Sequence, residues 1–251
     1  DEPVAQILPV LDEDEPYDNR WVTAVGIGVT GDGNWLFNMG EEGTIAVSAT
    51  GDDAYAAGMG AYGDKNVLLN NAAVIVESSG VRALGTGMMV EGSGNRLTNQ
   101  GSLLVTVGDG RSVLGLEGFE ATGLFALGDK NRLVNDQAAT IEVALKGDDG
   151  DAVGMGAQGN RNRLVNAGQI TVQIEGEDLS EDLADATGMT VCGDGNWLVN
   201  AAGGGINVQV EGTATDAAGI SACGAGNRVI NRGTVEVSSN GEGTRWPVVE
   251  D

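Results

Sequence analysis

The segment that decides the fold is Gly-Asn-Arg-Asn-Arg-Leu-Val-Asn-Ala-Gly-Gln-Ile-Thr-Val, residues 159–172. It combines a tight turn, an Asn-x-Leu-x-Asn unit and an alternating apolar run. The Asn pair returns seven times, as Asn34/Asn38, Asn66/Asn70, Asn95/Asn99, Asn131/Asn135, Asn162/Asn166, Asn196/Asn200 and Asn227/Asn231. Successive first asparagines are 29 to 36 residues apart. A repeat of this length is typical of a solenoid.

Each repeat is predicted to hold three short strands. The first carries a long aliphatic residue after a glycine, the second carries Leu or Val between the asparagines, and the third alternates as in Ile170-Thr-Val172-Gln-Ile174. Alternation with period two indicates strands with one buried face, and the absence of a helical period excludes βαβ units. Because parallel crossovers are right-handed, we predict an all-β, right-handed parallel β-helix of about seven three-stranded coils.

Three segments follow from this pattern. Residues 1–21 are acidic, contain three of the four prolines and are predicted to cap the first coil, because an open sheet edge favours aggregation. Residues 22–240 form the β-helix, and residues 241–251 are a tail without a strong cap, which suggests a fragment of a longer protein. The long insertion between Gly108 and Gly123 is expected either to protrude as a contact loop or to fold back on the helix.

The composition excludes several functions. The 251 residues carry a net charge of −24, which argues against binding to nucleic acid or anionic lipid. The absence of histidine excludes Ser-His and Cys-His catalysis. Carboxylates remain as catalysts, but we place them in flexible loops and find no acidic pair on a strand. We therefore predict that the chain is not an enzyme and has no cofactor.

The repeated asparagines are predicted to be structural. An Asn at the same corner of every coil can form hydrogen bonds along the stack. This structural ladder comprises Asn34, Asn66, Asn95, Asn131, Asn162, Asn196 and Asn227.

Two rows on the second strand are candidate contact surfaces. The residue before the inner aliphatic should face outward, and this Arg/Trp strip comprises Trp35, Arg96, Arg132, Arg163, Trp197 and Arg228. It could stack on sugar rings or pair with acidic surfaces, or its arginine stems could only cover apolar surface. The residue after the aliphatic forms an apolar ladder of Phe37, Leu69, Val134, Val165, Val199 and Ile230, with Thr98 in the third coil. The ladder would mediate self-association if it faces outward, whereas a bend at this corner would bury it.

The variable loops are expected to form an acidic edge. It comprises Asp52, Asp53, Asp148, Asp149, Asp151, Glu175, Glu177, Asp178, Glu181, Asp182, Asp185 and Asp216. Solvated charge is the simplest interpretation, with Ca²⁺ binding as the alternative. Cys192 and Cys223 occupy equivalent positions in neighbouring coils, a spacing that permits a disulfide; two free thiols are the alternative.

The unit at 159–172, followed by Ala-Thr-Gly-Met at 186–189, resembles units of autotransporter passenger domains, as does the Asn-x-Gly run from Asn231 to Val237. The resemblance covers about residues 22–238. It implies a secreted or bacterial cell-surface adhesin that acts by self-association or by repeated contacts with a receptor or glycan, in aggregation, attachment or biofilm formation. It also implies anchoring through a C-terminal membrane β-barrel that this sequence lacks, which leaves filamentous haemagglutinin-like proteins open. The alternative is a carbohydrate-binding or polysaccharide-degrading β-helix, such as a phage fibre domain.

Overall fold

The chain folds as an all-β parallel β-helix. The computed structural model describes residues 21–40, 43–51, 53–80, 82–108, 121–147, 150–176, 184–211 and 215–240. Within these ranges, 21 strands form three sheets of seven strands each, and neighbouring strands in each sheet are parallel. Each coil contributes one strand to each sheet, so the predicted fold class is confirmed. These residues contain no helix, and hence none long and apolar enough to cross a membrane.

The strands are numbered in chain order. The first sheet comprises β1 (Trp21–Thr30), β4 (Asp53–Tyr62), β7 (Arg82–Glu91), β10 (Ala121–Leu127), β13 (Ala152–Gln158), β16 (Ala184–Cys192) and β19 (Thr215–Cys223). The second comprises β2 (Trp35–Asn38), β5 (Val67–Asn70), β8 (Arg96–Asn99), β11 (Arg132–Asn135), β14 (Arg163–Asn166), β17 (Trp197–Asn200) and β20 (Arg228–Asn231). The third comprises β3 (Thr44–Thr50), β6 (Ala73–Ser79), β9 (Ser102–Gly108), β12 (Thr140–Lys146), β15 (Gln169–Glu175), β18 (Gly205–Glu211) and β21 (Thr234–Ser239).

Equivalent residues of successive coils stack in register. Leu133 pairs with Leu164, and Leu164 pairs with Leu198, so the same side chain returns on each neighbouring strand. The inner leucines from Leu68 to Leu198 are fully buried, as are most apolar residues of the first and third sheets. The core is therefore one continuous column, and each coil covers the face of its neighbour.

A glycine in the first sheet allows this sheet to approach the third. In the fifth coil it is Gly154, where an added Cβ would lie 2.3 Å from Ile170 Cγ2 and 2.6 Å from Gly188 O. The equivalent positions are Gly26, Gly58, Gly87, Gly123, Gly188 and Gly219. The close approach explains why a glycine precedes the long aliphatic residue in every repeat.

The last coil has the most open core. Val229 is 47% exposed, and Val235 and Val237 are only partly buried, because β19, β20 and β21 are the outer strands of their sheets. The predicted cap (apart from Trp21), the predicted tail and residues 109–120 of the long insertion lie outside the described residues.

Candidate functional site

The first asparagine of each pair is tied to the next coil through the backbone. The N–H of Asn34 donates to Asn66 Oδ1, and the same bond repeats in each coil up to Asn196 and Asn227, at 2.7–2.8 Å. The five middle members are buried. The amide nitrogens of Asn131 and Asn162 also donate to the carbonyls of Gly92 and Gly128. The Oδ1 atoms from Asn66 to Asn227 are thus committed to the fold, whereas the buried Nδ2 groups of Asn66, Asn95 and Asn196 have no hydrogen-bond partner among the described residues.

The second asparagine of each pair forms a separate ladder. The Nδ2 of Asn38 donates to Asn70 Oδ1, and amide-to-amide bonds of 2.8–2.9 Å continue to Asn231. Each interior amide also donates to a nearby backbone carbonyl, as Asn166 does to Gly205 O. Buried amides remain satisfied in this way, which is the condition for placing them beside an apolar core.

A third ladder lies in the turn before the first asparagine and was not anticipated from the sequence. Asp32 Oδ1 accepts the N–H of Asp64, and Asp64 accepts that of Ser93. Asp129, Asn160 and Asp194 continue the pattern in the later coils. The sequence does contain a signal for this ladder. A polar residue follows the turn glycine in six of the seven repeats, at positions where backbone N–H groups need acceptors.

The residue after this polar position takes a left-handed backbone conformation. Glycine occupies it in four coils, with φ between 66° and 71°. The other three coils carry Lys65, Lys130 and Arg161, with φ of 58–59°. We call these three residues the turn cations. The backbone of a residue other than glycine is strained at such angles, and residues with this kind of strain are often functional.

The Arg/Trp strip lies in one line on the outer face of the second sheet. Register partners connect Trp35, Val67, Arg96, Arg132, Arg163, Trp197 and Arg228 in order across all seven strands. Trp35 is 69% exposed, and three of the four arginines are exposed. Partial burial, followed by the like charges of Arg96 and Arg163, lowers the pKa of Arg132. The strip is therefore a row of crowded positive charges on an acidic rod.

Trp197 lies between two arginines of this strip. Its ring is 4.9 Å from the guanidinium carbon of Arg163 and 5.2 Å from that of Arg228. Trp35, at the other end of the sheet, contacts Phe37 edge to face at 5.8 Å. Stacking orders both guanidinium groups and keeps their N–H donors available at the surface.

The apolar ladder is not evenly exposed. Phe37 is 42% exposed, but Val134 is 9% exposed and Thr98 8%. The remaining members, Leu69, Val165, Val199 and Ile230, are half-buried. Side chains stacked at strand spacing cover one another. A row that points outward can therefore still have little solvent-exposed area in the middle of the rod. The row is thus exposed in the first coil and buried in the third and fourth, so neither the outward-facing nor the buried alternative holds along its whole length.

The acidic edge is partly built on strands, which corrects the assignment of its residues to flexible loops. Asp53, Glu175, Asp185 and Asp216 belong to β4, β15, β16 and β19, and Asp151 directly precedes β13. Asp185 and Asp216 are register partners, so an acidic pair does stand on neighbouring strands. The other acidic-edge residues, Asp52, Asp148, Asp149, Glu177, Asp178, Glu181 and Asp182, lie outside the described residues.

Asp185 lies between the carboxyl groups of Asp151 and Asp216. Partial burial, then the carboxyl groups of Asp151 and Asp216, raise the pKa of Asp185 to about 6. Burial also raises the pKa of Asp151, while the backbone N–H of Asp185 opposes this shift. A carboxyl group with a raised pKa can hold a proton near neutral pH, which is the property that a general acid needs. Among the described residues, no three potential ligands converge as a metal site, and Ca²⁺ binding stays a prediction.

The two cysteines form a disulfide between the last two coils. Cys192 and Cys223 are register partners with Cα atoms 4.7 Å apart. Both are exposed, at the end of β16 and β19. The bond links the outermost coil to the rest of the helix, which suits a structural role in an oxidising environment.

The fold and these surfaces define the class of protein, a parallel β-helix with in-register polar ladders. Residues 122–246, just under half of the chain, match the family described as the BigA third pectate lyase-like domain. The later repeats are therefore similar to this pectate lyase-like domain. A search of the curated proteins found no significant match, and neither did a search of the solved structures.

Proposed function

We propose that the chain is a non-catalytic contact module of a secreted or cell-surface protein, exported as an autotransporter passenger. It attaches to its target by repeated contacts along the outer face of the second sheet. The observation that carries this proposal is the Arg/Trp strip, a row of side chains presented at every coil on a rigid sheet. A repeated surface of this kind suits many weak contacts with an extended partner, since linked contacts reinforce one another.

The charge distribution also supports the outer face of the second sheet as the contact surface. Four of the 13 basic residues of the chain belong to the strip, and three more are the turn cations beside it. Among the described residues, the ion pair between Lys146 and Glu175 lies on the third sheet and involves none of these seven cations. Their charges are thus available to an external partner.

The test is attachment of beads coated with the 251-residue chain. We expect wild-type beads to clump or to bind bacterial or epithelial cells, and Arg132→Gln/Arg163→Gln beads to bind severalfold less. Lys146→Gln/Arg232→Gln is the matched control, because it removes the same charge elsewhere and should bind as the wild type does. Clumping without cells indicates a second copy as the partner, and attachment to cells indicates a receptor. Attachment that is absent, or equally weak in both variants, would overturn the proposal.

A polysaccharide-degrading β-helix is the second candidate. Asp185 and Asp216 on adjacent strands, with the raised pKa of Asp185, favour it, and so does the pectate lyase-like description of the matched family. It predicts that the chain releases new sugar ends from a polysaccharide and that Asp185→Asn abolishes the release. No release from a panel of neutral and acidic polysaccharides would rule it out.

A further inference from the structure

We infer that the Arg/Trp strip and the turn cations bind a linear acidic polysaccharide that lies along the axis of the rod. Its carboxylate or sulfate groups meet the guanidinium groups of successive coils. This inference rests on the proposed contact function and names the ligand of that face.

The first argument is the spacing of the charges. From Arg96 to Arg228 the strip crosses five neighbouring strands, and strands spaced by about 4.8 Å give a length of about 19 Å. The length of one hexose in an extended chain is close to this spacing, so an acidic sugar can meet a new coil at each residue. Duplex DNA carries one charge per ~1.7 Å, which is far denser than the strip, and a net charge of −24 repels it more strongly.

The second argument is the stack around Trp197. Arg163 and Arg228 contact its ring from the neighbouring coils and therefore point along the rod axis. Arginine binds carboxylate and sulfate-like oxygens through paired N–H donors. Two guanidinium groups held against one ring thus present donors for acidic groups at one place in the strip.

The third argument is the groove that borders the strip in coils four to six. It has a volume of about 500 Å³ and is lined by Asp129, Lys130, Asn160, Arg161, Asp194 and Gly195. Its two acids each accept a backbone N–H of the following coil, which commits one carboxylate oxygen to the turn. Its two cations are exposed, at φ values that glycine would adopt without strain. The sequence thus places charge beside Arg132 and Arg163 in spite of the backbone strain.

The experiment is isothermal titration of the 251-residue chain with alginate, dextran sulfate, neutral dextran and a single-stranded oligonucleotide. We expect alginate or dextran sulfate to bind, neutral dextran not to bind, and added salt to weaken binding. Arg132→Gln/Arg163→Gln should weaken binding by about tenfold to a hundredfold, because each of the two lost charged hydrogen bonds is worth about one order of magnitude. Lys146→Gln/Arg232→Gln should change it by no more than about twofold. The stronger of alginate and dextran sulfate identifies carboxylate or sulfate as the preferred group.

Three results would overturn the inference: no binding of either acidic polymer, equal losses in both variants, or binding of the oligonucleotide as tight as that of the polysaccharides. The bead assay distinguishes a wrong ligand class from a wrong contact function. If cells are bound through the strip but acidic polysaccharides are not, the ligand class is wrong and the contact function stands. If neither cells nor acidic polysaccharides are bound, both the ligand class and the contact function are wrong. Circular dichroism of each variant shows whether the fold is retained.

Discussion

The guanidinium carbon of Arg163 lies 4.9 Å from the centroid of the Trp197 ring on the next coil. The two residues are 34 positions apart in sequence but are register partners in the second sheet. Arg228, on the following coil, contacts the same ring at 5.2 Å. The solenoid thus assembles a surface from residues that no local motif connects.

Replacing Trp197 by alanine should remove both stacking contacts. At about 0.5–1 kcal/mol for each exposed cation–π contact, we expect a loss of about 1–2 kcal/mol in the free energy of unfolding. Trp35→Ala is the control, because Trp35 is 69% exposed and contacts only Phe37 among the ring contacts observed. Urea titration followed by circular dichroism gives both values, and an equal loss in the two variants would contradict the stacking account.

Gly154→Ala should be strongly destabilising. The new methyl group would overlap Ile170 Cγ2 and the carbonyl of Gly188, so the first and third sheets would have to move apart. We expect a loss of about 1–3 kcal/mol, as for overpacked cores. The control is Gly60→Ala, whose Cβ would be 3.8 Å from the nearest side-chain atom. Thermal unfolding compares the two, and similar midpoints would show that the sheets are not closely packed here.

Asn166→Ala should break the second asparagine ladder. The change removes one of the two acceptors of Asn135 Nδ2, which keeps Gln169 O, and it leaves the buried Oδ1 of Asn200 without its donor. An unpaired buried acceptor costs about 1–3 kcal/mol. Asn231→Ala at the exposed end of the ladder should cost less, because its loss affects only Asn200 within the ladder. Denaturant unfolding of both variants measures the difference, and a larger loss for Asn231→Ala would refute a buried ladder.

The stability of the fold should fall as the pH rises from about 4 to about 6. The pKa of Asp185 is about 6 in the folded chain, above its ordinary value of 3.8, so the folded state binds more protons in this window. Asp185→Asn should remove this dependence and stabilise the chain at pH 8 by about 1 kcal/mol at most, since the side chain is only partly buried and solvent screens its charge. Glu236→Gln on the exposed face of β21 is the control. Unfolding at several pH values tests this, and an unchanged profile for Asp185→Asn would contradict it.

Breaking the disulfide should loosen the last coil. Cys192 and Cys223 are separated by 31 residues, and the closed loop is worth about 3–4 kcal/mol by the chain-entropy argument. We expect Cys192→Ser/Cys223→Ser to speed amide hydrogen exchange in β19–β21 and to leave β10–β12 unchanged. Uniform acceleration over all coils would show that the helix opens as one unit.

The fold could be predicted from the sequence because its repeats carry the same information seven times. The Asn pair, the alternating third strand and the glycine before Met155 and its equivalents each return at the same place. The position of the Arg/Trp strip followed from the same comparison of the repeats, since neighbouring residues of a strand point to opposite faces and Arg163 directly precedes the buried Leu164.

The tertiary structure decided the side-chain exposure and the pairing between coils, which the comparison of the repeats could not give. Val134 and Phe37 hold equivalent positions, yet Val134 is 9% exposed and Phe37 42%, because burial depends on the neighbours of each coil. Asp185 and Asp216 belong to segments of variable length, and only the pairing of β16 with β19 brings them into register. The repeat by itself thus determined the fold and the facing of its strands, whereas exposure, pairing and pKa depend on contacts between coils that only the folded chain makes.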